Sequence, residues 1–297
     1  MGVILITGTS SGLGLRAAVE LARRGERVFA SMRDLSRDGE LQDAARAAGV
    51  TVEVVQLDVT DEDSVQRAVR CVLAQAGAID VVVNNAAVVA ATGPLEHTTD
   101  AEVRRVFDTN AFGPLRIARA VLPSMRERKH GRIVNIATGG TNGRGGIRLF
   151  GIYLMTKAAL TTLTLELAKE VRGFGIEVVL LDAGIGGATS IFKHIREQMS
   201  SWDPGSPYAA LQVIASQQVA LGSGIDPTPA VEIIADACTL PAVPLRYPAA
   251  FPRTWEAVSD VDFLKLCDGI DVQETLAKYG MEGGMWAFTG QAESVQQ

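Results

Sequence analysis

Cysteine and histidine are scarce in this chain of 297 residues, with three of each. The cysteines lie far apart in the sequence, at Cys71, Cys238 and Cys267. Zinc sites and disulfide frameworks both use cysteines at short, regular intervals, so the pattern argues against both and favours a reducing compartment. The histidines are scattered as well, at His97, His130 and His194. Because none has a partner at metal-ligand or catalytic-triad spacing, we expect no metal site and assign the histidines to surface or capping roles.

The chain also lacks an excess of basic residues and any long apolar run. Lysine and arginine number 28 against 34 acidic residues, which gives a formal net charge of −6 and a sequence pI near 5.2. This charge gives no electrostatic basis for binding nucleic acid or an anionic membrane, and no apolar stretch reaches the length of a membrane span. The first residues form a strand pattern at once, without a targeting signal ahead of it, so we expect a cytoplasmic protein. Its expected partners are small molecules and further copies of the chain.

Alternating strand and helix patterns indicate an α/β fold. Short apolar runs bounded by turn residues predict strands at residues 3–7, 27–31, 51–57, 79–84, 132–137 and 175–181. Helix-period segments between them predict helices near residues 12–24, 41–48, 61–76, 99–128 and 153–172. Continuously apolar strands that alternate with helices favour a doubly wound, Rossmann-like parallel sheet, which binds ligands at the carboxyl ends of its strands. With 47% hydrophobic and 21% charged residues, the chain suits one large domain over residues 1–297.

The pattern loosens after the last predicted strand. Residues from about 185 to 225 predict a helical excursion over the substrate side of the sheet, and residues from about 280 to 297 predict a flexible tail. The excursion contains an apolar stripe at helical spacing, formed by Ile191, Phe192, Ile195 and Met199. Such a stripe packs against the body of a protein or lines a pocket, and the sequence leaves both open. A glycine-rich segment at 139–146 is either a mobile, substrate-facing loop or a tolerated surface insertion.

A glycine-rich turn joins the first predicted strand to the first predicted helix, with the sequence Thr7-Gly8-Thr9-Ser10-Ser11-Gly12-Leu13-Gly14. Gly8 permits a tight turn, Gly12 allows the backbone to approach a pyrophosphate, and Gly14 lets the helix pack close to the strand. The helix N-terminus then presents unpaired N–H groups to phosphates. Although tight turns use glycines too, the motif predicts nucleotide binding by Gly8, Ser10, Ser11, Gly12, Leu13 and Gly14.

Tyr153 and Lys157 lie four residues apart in the last long predicted helix, which places both on one face. A free phenol has a pKa near 10, so acid or base chemistry at Tyr153 near neutral pH needs its anion stabilised by about 3–4 kcal/mol, or about 2–3 pKa units. The ammonium of Lys157 is the expected source of that stabilisation. Such a pair occurs by chance in many helices, and its place after the fifth predicted strand is what favours a catalytic role.

The order and spacing of these motifs resemble the short-chain dehydrogenase/reductase family over about residues 3–190. The likeness includes Asp58 after the third predicted strand, Asn84-Asn85-Ala86-Ala87 after the fourth, Asn110, Thr138 and the run Tyr153-Leu154-Met155-Thr156-Lys157. Residues 110–115 and 244–248 are most similar to the hydroxysteroid and retinol dehydrogenase branch. The resemblance implies an NAD(P)-dependent oxidoreductase that transfers a hydride between a nicotinamide and a carbonyl or secondary alcohol. It also implies a homodimer or homotetramer, formed through the long helices.

The resemblance further implies roles for individual residues. Tyr153 is the expected acid or base, Lys157 also holds the cofactor ribose, and Asn110 holds a water that connects Lys157 to solvent. Thr138 stands where the family usually has Ser, and its hydroxyl can donate to a carbonyl oxygen that gains negative charge. Thr138 as an ordinary strand-end residue and Asn110 as a plain surface residue remain open. Further expected cofactor contacts are Asp58, Val59, Asn85, Ala86, Ala87, Gly184, Ile185 and Thr189. Ala87 and Ala183 replace the Gly and Pro that are usual in the family.

Arg33 and Asp34 give opposite indications about the cofactor. NAD recognition usually uses a carboxylate after the second strand, whereas NADP recognition uses an arginine near the same place. The second strand is expected to end near Ser31, where the residues are neutral, and Arg33 follows closely. Ser11 in the glycine-rich turn adds a hydroxyl donor. The sequence therefore favours NADP, with NAD as the alternative.

For the substrate, the apolar stripe of the excursion favours a fairly bulky, apolar ketone or secondary alcohol. A catalytically silent nucleotide-binding regulator or scaffold on the same fold is the alternative function. Retention of Tyr153, Lys157, Asn110 and a hydroxyl at Thr138 argues against that alternative. Epimerase or dehydratase chemistry on a nucleotide sugar uses the same pair of residues, but it usually accompanies a larger C-terminal substrate domain.

Overall fold

The computed structural model describes residues 1–138, 147–182 and 190–247, and these residues form a parallel sheet with helices on both faces. Within these ranges the sheet has seven strands: β1 (Val3–Thr7), β2 (Arg27–Met32), β3 (Glu53–Gln56), β4 (Val81–Asn84), β5 (Gly131–Ala137), β6 (Ile176–Asp182) and β7 (Arg246–Tyr247). Their spatial order is β3-β2-β1-β4-β5-β6-β7, and every neighbouring pair is parallel. The order reverses between β1 and β4, and open α/β sheets bind ligands at such a switch point.

Helices cover both faces of the sheet. The described residues contain α1 (Gly12–Arg23), α2 (Gly39–Ala47), α3 (Glu62–Ala76), α4 (Asp100–Phe107), α5 (Gly113–Arg128), α6 (Gly151–Val171), α7 (Ser190–Met199), α8 (Ala209–Ser223) and α9 (Thr228–Thr239). Side chains of α1, α2 and α9 form the core on one face, and those of α3, α5 and α6 form it on the other. All seven residues of β5 are buried, as expected for a strand covered on both faces.

The doubly wound fold predicted from the sequence is confirmed, with local differences. The helix predicted at 99–128 is divided into α4 and α5 by a π-helical turn at Asp108–Phe112. Pro114 lies two residues after this turn and has no backbone N–H to give, which interrupts the regular helical hydrogen bonds. β7 is an addition to the predicted strands, because its two residues lie in a proline-rich segment without a strand pattern.

The predicted helical excursion contains α7 and α8. The glycine-rich segment 139–146 and the tail predicted at 280–297 lie outside the described residues. Among the helices that are described, none has the length and apolar character required to cross a bilayer.

Candidate active site

The turn after β1 leaves the sheet at the switch point between β1 and β4. Gly8 and Gly12 have φ angles of +72° and +67°, a backbone region that other residues rarely adopt. A Cβ atom on Gly8 would lie 2.7 Å from the Cα of Ala86, so only glycine fits between this turn and the segment after β4. Ser11 is the N-cap residue of α1. The unpaired N–H groups of the first turn of α1 therefore lie at the end of this loop.

Thr7 and Asn85 join this loop to the segment that follows β4. The hydroxyl of Thr7 accepts from the N–H groups of Asn85 and Ala86, at 3.1 and 3.0 Å. The side-chain amide of Asn85 donates to the carbonyls of Thr7 and Gly8, at 2.8 and 3.0 Å. A Cβ on Gly14 would lie 2.5 Å from the Gly8 carbonyl oxygen and would meet the Asn85 amide. Gly14 therefore makes room both for the backbone at the end of β1 and for the Asn85 amide, and Thr7 is a residue that the motif did not single out.

The Asp34 carboxylate is hydrogen-bonded within the turn that follows β2. It accepts hydrogen bonds from the Ser36 hydroxyl at 2.7 Å and from the Ser36 N–H at 3.0 Å. These bonds hold the pKa of the exposed Asp34 carboxyl below its ordinary value, and the positive charges of Arg37 and Arg33 add to the effect. β2 runs to Met32, one residue beyond the predicted end, and Arg33 follows it on the surface. One oxygen of the Asp34 carboxylate is thus occupied, and Arg37 is a second arginine beyond β2 that the sequence prediction did not include.

Asp58 and Val59 lie beyond the carboxyl end of β3. The Asp58 carboxylate accepts from the Thr60 hydroxyl and N–H, at 2.7 and 2.9 Å, and these bonds fix the turn into α3. Val59 is buried, and its carbonyl accepts from the Arg116 guanidinium at 3.2 Å. The predicted cofactor residues Gly184, Ile185 and Thr189, together with Ala183, lie outside the described residues. Ser10, Leu13, Asn85, Ala86 and Ala87 are half-buried at the switch point.

The structure brings Tyr153 and Lys157 together at the carboxyl end of β5. Lys157 is only 3% exposed, and its ammonium donates to the carbonyl of Ile136 at 2.7 Å. The same nitrogen lies 5.8 Å from the centre of the Tyr153 ring. Thr138 is half-buried and follows directly after β5, two residues beyond Ile136. α6 and β5 thus place a phenol, an ammonium and a hydroxyl at one edge of the sheet.

Burial controls the ionisation of both groups on α6. Removal from water raises the pKa of Tyr153 to about 12 and lowers the pKa of Lys157 to about 8. Loss of hydration shifts both groups toward their neutral forms, so stabilisation of the Tyr153 anion by Lys157 has to act against this effect and stays a prediction. A tyrosinate near neutral pH then needs about 4–5 pKa units of stabilisation, or about 5–7 kcal/mol, rather than the smaller amount inferred for an exposed phenol.

Replacement of Lys157 with Met is expected to raise the free energy of unfolding at pH 7 by about 2 kcal/mol. Removal of a charge that is held away from water adds about 3 kcal/mol to the free energy of unfolding. Loss of the hydrogen bond to Ile136 subtracts about 1 kcal/mol. Because the pKa of Lys157 is about 8 in the folded chain and 10.5 ordinarily, the unfolded chain binds more protons between these values. The free energy of unfolding of the wild type therefore rises relative to that of the variant as the pH increases from about 8 to 10.5.

Denaturant unfolding of both proteins at pH 7 and pH 10 measures this difference. The expected result is a more stable variant at pH 7 and a difference that closes or changes sign at pH 10. A variant that is less stable at pH 7, by an amount that does not change with pH, contradicts a destabilising charge at Lys157.

Asn110 is fully buried in the π-helical turn, so the plain surface role is excluded. Its carbonyl oxygen accepts from the Val88 N–H at 2.8 Å, and its amide donates to the Val88 carbonyl at 2.9 Å and the Thr156 hydroxyl at 3.1 Å. Thr156 in turn donates to the carbonyl of Tyr153 at 2.7 Å. Asn110 thus connects the segment after β4 to α6, one residue before Lys157. Its contact with a water remains a prediction.

A second buried chain of side chains fixes α6 against the sheet. The amide of Asn84 donates to the Asn135 side chain at 2.8 Å, and the Asn135 amide donates to the Thr164 hydroxyl at 2.9 Å. Thr164 donates to the carbonyl of Leu160 within α6, at 2.6 Å. The helix that carries Tyr153 and Lys157 is therefore tied to β4 and β5 by polar contacts as well as by apolar packing.

The apolar stripe of the excursion packs beside Tyr153. Phe192 and Ile195 of α7 are buried in one cluster with Val89, Phe150 and Val219. Tyr153 packs against this cluster, together with Ile147, Ile191 and Met199. The packing interpretation of the stripe is thus confirmed, and this small core reaches the phenol, while the pocket interpretation stays a prediction. In the described ranges, no group of three or more histidine, cysteine or acidic side chains is placed to hold a metal ion.

Comparison with known proteins agrees with this geometry. The family model for short chain dehydrogenases matches residues 2–200. Retinol dehydrogenase 8 of Bos taurus is 37% identical over 82% of this chain and 80% of its own length. Human 17-beta-hydroxysteroid dehydrogenase type 1 is 34% identical over 82% of this chain and 76% of its own length. These relatives confirm the predicted resemblance to the hydroxysteroid and retinol dehydrogenase branch.

Solved structures show the same fold. A short-chain dehydrogenase from Streptomyces avermitilis has a TM-score of 0.68 and 32% identity, covering 94% of this chain and 96% of its own. A variant of actinorhodin polyketide ketoreductase, solved with NADPH, has a TM-score of 0.70 and 29% identity, covering 84% of this chain and 94% of its own. The chain therefore belongs to the short-chain dehydrogenase family and is a nicotinamide-dependent oxidoreductase that acts on CH–OH and C=O groups.

Proposed function

We propose that this enzyme uses NADP(H) to interconvert an apolar ketone and the corresponding secondary alcohol, with Tyr153 as the proton donor and acceptor. The observation that carries the proposal is the position of Tyr153. Its phenol lies beside the buried ammonium of Lys157 on one side, and its ring packs against the apolar cluster of α7 on the other. A carbonyl presented to this phenol has an apolar surface beside it and a proton source within reach.

The switch point fits a dinucleotide. Gly8 and Gly12 have backbone conformations that open the loop, and Gly8 leaves no room for a side chain against Ala86. We assign the pyrophosphate to this loop and the N-terminus of α1, where Ser10, Ser11 and Leu13 complete the wall. The adenosine half is assigned to Arg33, Asp58 and Val59, and the nicotinamide half to Asn85, Ala86, Ala87, Tyr153 and Lys157, with Gly184, Ile185 and Thr189.

The preference for NADP rests on the turn after β2. Ser36 already occupies one oxygen of the Asp34 carboxylate, which leaves the second oxygen for the ribose diol that NAD presents. Arg33 is exposed beside it and carries the positive charge that a 2′-phosphate needs. The similar actinorhodin ketoreductase was solved with NADPH, although a xylitol dehydrogenase of 25% identity and TM-score 0.69 was solved with NAD⁺.

Replacement of Arg33 with Ala is expected to weaken NADPH binding by about 10–100-fold, because one charge-assisted contact is lost. Binding of NADH is expected to change little. Titration of the purified enzyme with each reduced cofactor, followed by fluorescence, measures both affinities. Arg37→Ala is the matched control, since Arg37 is an exposed arginine in the same turn. Equal losses for both cofactors, or a wild-type preference for NADH, would indicate that Asp34 rather than Arg33 sets the cofactor preference.

The chemistry of the chain's own residues follows from their positions. A bound nicotinamide supplies or accepts the hydride at the substrate carbon. In the reducing direction, the Tyr153 phenol, protonated at neutral pH because burial raises its pKa to about 12, donates its proton to the developing alkoxide. The hydroxyl of Thr138 donates a hydrogen bond to the same oxygen. The ammonium of Lys157 stabilises the tyrosinate that remains until it regains a proton from solvent.

The apolar cluster beside Tyr153 supports an apolar substrate, because it excludes water from the reacting carbonyl. A series of homologous methyl ketones, assayed with NADPH at 340 nm, tests this. We expect kcat/KM to rise as apolar surface is added. Highest activity on small charged ketones or on sugars would contradict an apolar substrate.

We also propose a homodimer or homotetramer formed through α5 and α6. Phe112 at the start of α5 is 50% exposed and Met155 in α6 is 49% exposed, an unusual position for large apolar side chains on two neighbouring helices. Light scattering at micromolar concentration is expected to give at least twice the monomer mass. A monomer that keeps full activity under the same conditions would refute the assembly.

A further inference from the structure

A cleft of about 340 Å³ lies beyond the apolar cluster, between two segments of the chain. One wall is residues 91–98, which follow β4, and the other is residues 201–212, which join α7 to α8. Its volume is at the lower end of the range for small-molecule sites. Tyr153, Lys157 and Thr138 are not among the residues that line it. The cleft is therefore a place separate from the reacting atoms.

Gln212 is the cleft residue that indicates a bound ligand. It lines the cleft in the first turn of α8 and is only 8% exposed. In the part of the chain that the structure describes, its side-chain amide has no hydrogen-bond partner, whereas the similarly buried Gln218 accepts from the Arg148 N–H at 2.9 Å. The amide atoms of Gln212 are not fully enclosed by protein, so they are open to the cleft and can hydrogen-bond to a ligand hydroxyl or amine.

The charged groups of the cleft indicate what such a ligand carries. Glu102 and Asp203 line it, and lysine and arginine are absent from its lining. One oxygen of Glu102 accepts from Thr99, and one oxygen of Asp203 accepts from the Gly205 N–H. Among the described residues, no donor bonds to the second oxygen of either carboxylate. Because carboxylates only accept hydrogen bonds, the cleft favours a ligand group that donates them, which means a hydroxyl or an ammonium.

The cleft and the apolar cluster share both of their walls. Val89 belongs to the cluster, and the residues that follow it from Ala91 line the cleft. Met199 belongs to the cluster, and Trp202 lines the cleft. Along α7, the distance from Ile191 to Met199 is about 12 Å at 1.5 Å per residue. An elongated molecule with its reacting carbon at Tyr153 can therefore place its other end in the cleft.

Polar contacts hold the two walls in position before any ligand binds. Gln198 donates to the Val89 carbonyl at 2.5 Å, and the Trp202 indole donates to the Thr92 carbonyl at 3.3 Å. The Tyr208 hydroxyl donates to Glu96 at 2.7 Å. A site whose walls are fixed in this way loses less entropy when it binds.

We propose that this cleft binds the polar end of the substrate, so that the substrate is an amphipathic ketone or alcohol with a hydroxyl or ammonium remote from its reacting carbon. The proposal rests on the function assigned to Tyr153, and it adds a second, hydrogen-bonding subsite centred on Gln212. Glu102 and Asp203 attract the donor group, while the body of the substrate lies along the apolar face of α7.

Three ketones of equal chain length test the subsite: one ending in a methyl group, one in a hydroxyl and one in a primary amine. We expect wild-type kcat/KM to be about tenfold higher for at least one of the two polar-ended ketones than for the methyl-ended one. In Gln212→Leu, which keeps the size of the side chain, the ratio is expected to fall to about one, and the change is expected in KM rather than kcat. Gln217→Leu, an exposed glutamine of the same helix, is the matched control and is expected to keep the wild-type ratio.

Two further readouts distinguish a binding role of Gln212 from a structural one. The melting temperature of Gln212→Leu is expected to equal or exceed that of wild type, because an unpaired amide is removed, whereas a structural Gln212 would lower it. Trp fluorescence titration with the three ketones reports binding without turnover, so it tests the subsite even if none of them is reduced. Equal binding of all three ketones, or equal loss for all three in Gln212→Leu, overturns the proposal. If binding of the ketones depends on their polar ends but none of them is reduced, the result contradicts the proposed reaction and leaves the subsite intact.

Discussion

Replacement of Tyr153 with Phe is expected to lower kcat for ketone reduction by about 10²–10⁴-fold, the usual contribution of a positioned acid or base. The substitution removes only the hydroxyl, so the ring keeps its packing against the apolar cluster of α7. The dissociation constant for NADPH is therefore expected to stay close to the wild-type value. This combination of a large loss in turnover and an intact cofactor site identifies a proton donor rather than a packing residue.

Single-turnover kinetics with saturating NADPH, together with a fluorescence titration of the cofactor, measure both quantities for Tyr153→Phe. Tyr208→Phe is the control for kcat and for NADPH affinity, because Tyr208 donates to Glu96 beside the remote cleft and lies outside the reacting centre. Near-parental kcat in Tyr153→Phe would remove Tyr153 from the acid role. Loss of NADPH binding would show instead that the substitution disrupts the site.

Replacement of Thr138 with Val is expected to lower kcat by about 10²–10³-fold, the usual effect of removing one donor to a developing oxyanion. Valine has the shape of threonine without its hydroxyl and suits the end of a strand equally well. Thr138→Ser keeps the donor and is expected to retain most of the activity. The pair therefore separates the hydroxyl from the shape of the side chain.

Steady-state assays of the two Thr138 variants on one ketone measure this effect, with the melting temperature as a check on folding. An active Val variant would return Thr138 to the role of an ordinary strand-end residue. If both variants were equally impaired and equally stable, the methyl group rather than the hydroxyl would be the important feature.

The sheet could be predicted because its information is local. Each strand is a short apolar run between turn residues, and each following helix has its own periodicity, so the parallel order follows from the alternation. The exceptions are places where the chain departs from those patterns. At Asn110 the backbone forms a π-helical turn within a continuous helical pattern, and at Arg246–Tyr247 a strand of two residues forms in a proline-rich segment.

The site was only partly accessible from the sequence, because several of its features exist only between distant residues. The glycine spacing indicates the loop after β1, but the bonds from Asn85 and Ala86 to Thr7 cross almost 80 positions. The hydroxyl of Thr156 is one of several in a helix, and only its bond from Asn110 distinguishes it. Nothing local marks Gln212 as a buried amide.

Removal from water is an electrostatic effect that the sequence does not show. A lysine one helical turn away favours a lower pKa for Tyr153, whereas loss of hydration shifts each of the two groups toward its neutral form. The charge of Asp34 can be read from the sequence, but the hydrogen bond that it accepts from Ser36 is seen only in the structure. Sequence identifies which groups can ionise, and three-dimensional packing decides how readily they do so.

The most direct test of the account follows the hydride itself. Purified enzyme is incubated with an apolar ketone and NADPH that carries deuterium at both positions of its reactive carbon, and the alcohol product is examined by mass spectrometry. The account predicts one deuterium at the former carbonyl carbon, with oxidised cofactor formed in equal amount and formation of both products lost in Tyr153→Phe. An alcohol without deuterium, or no alcohol from any ketone tested while the folded protein still binds NADPH, would contradict hydride transfer at this site.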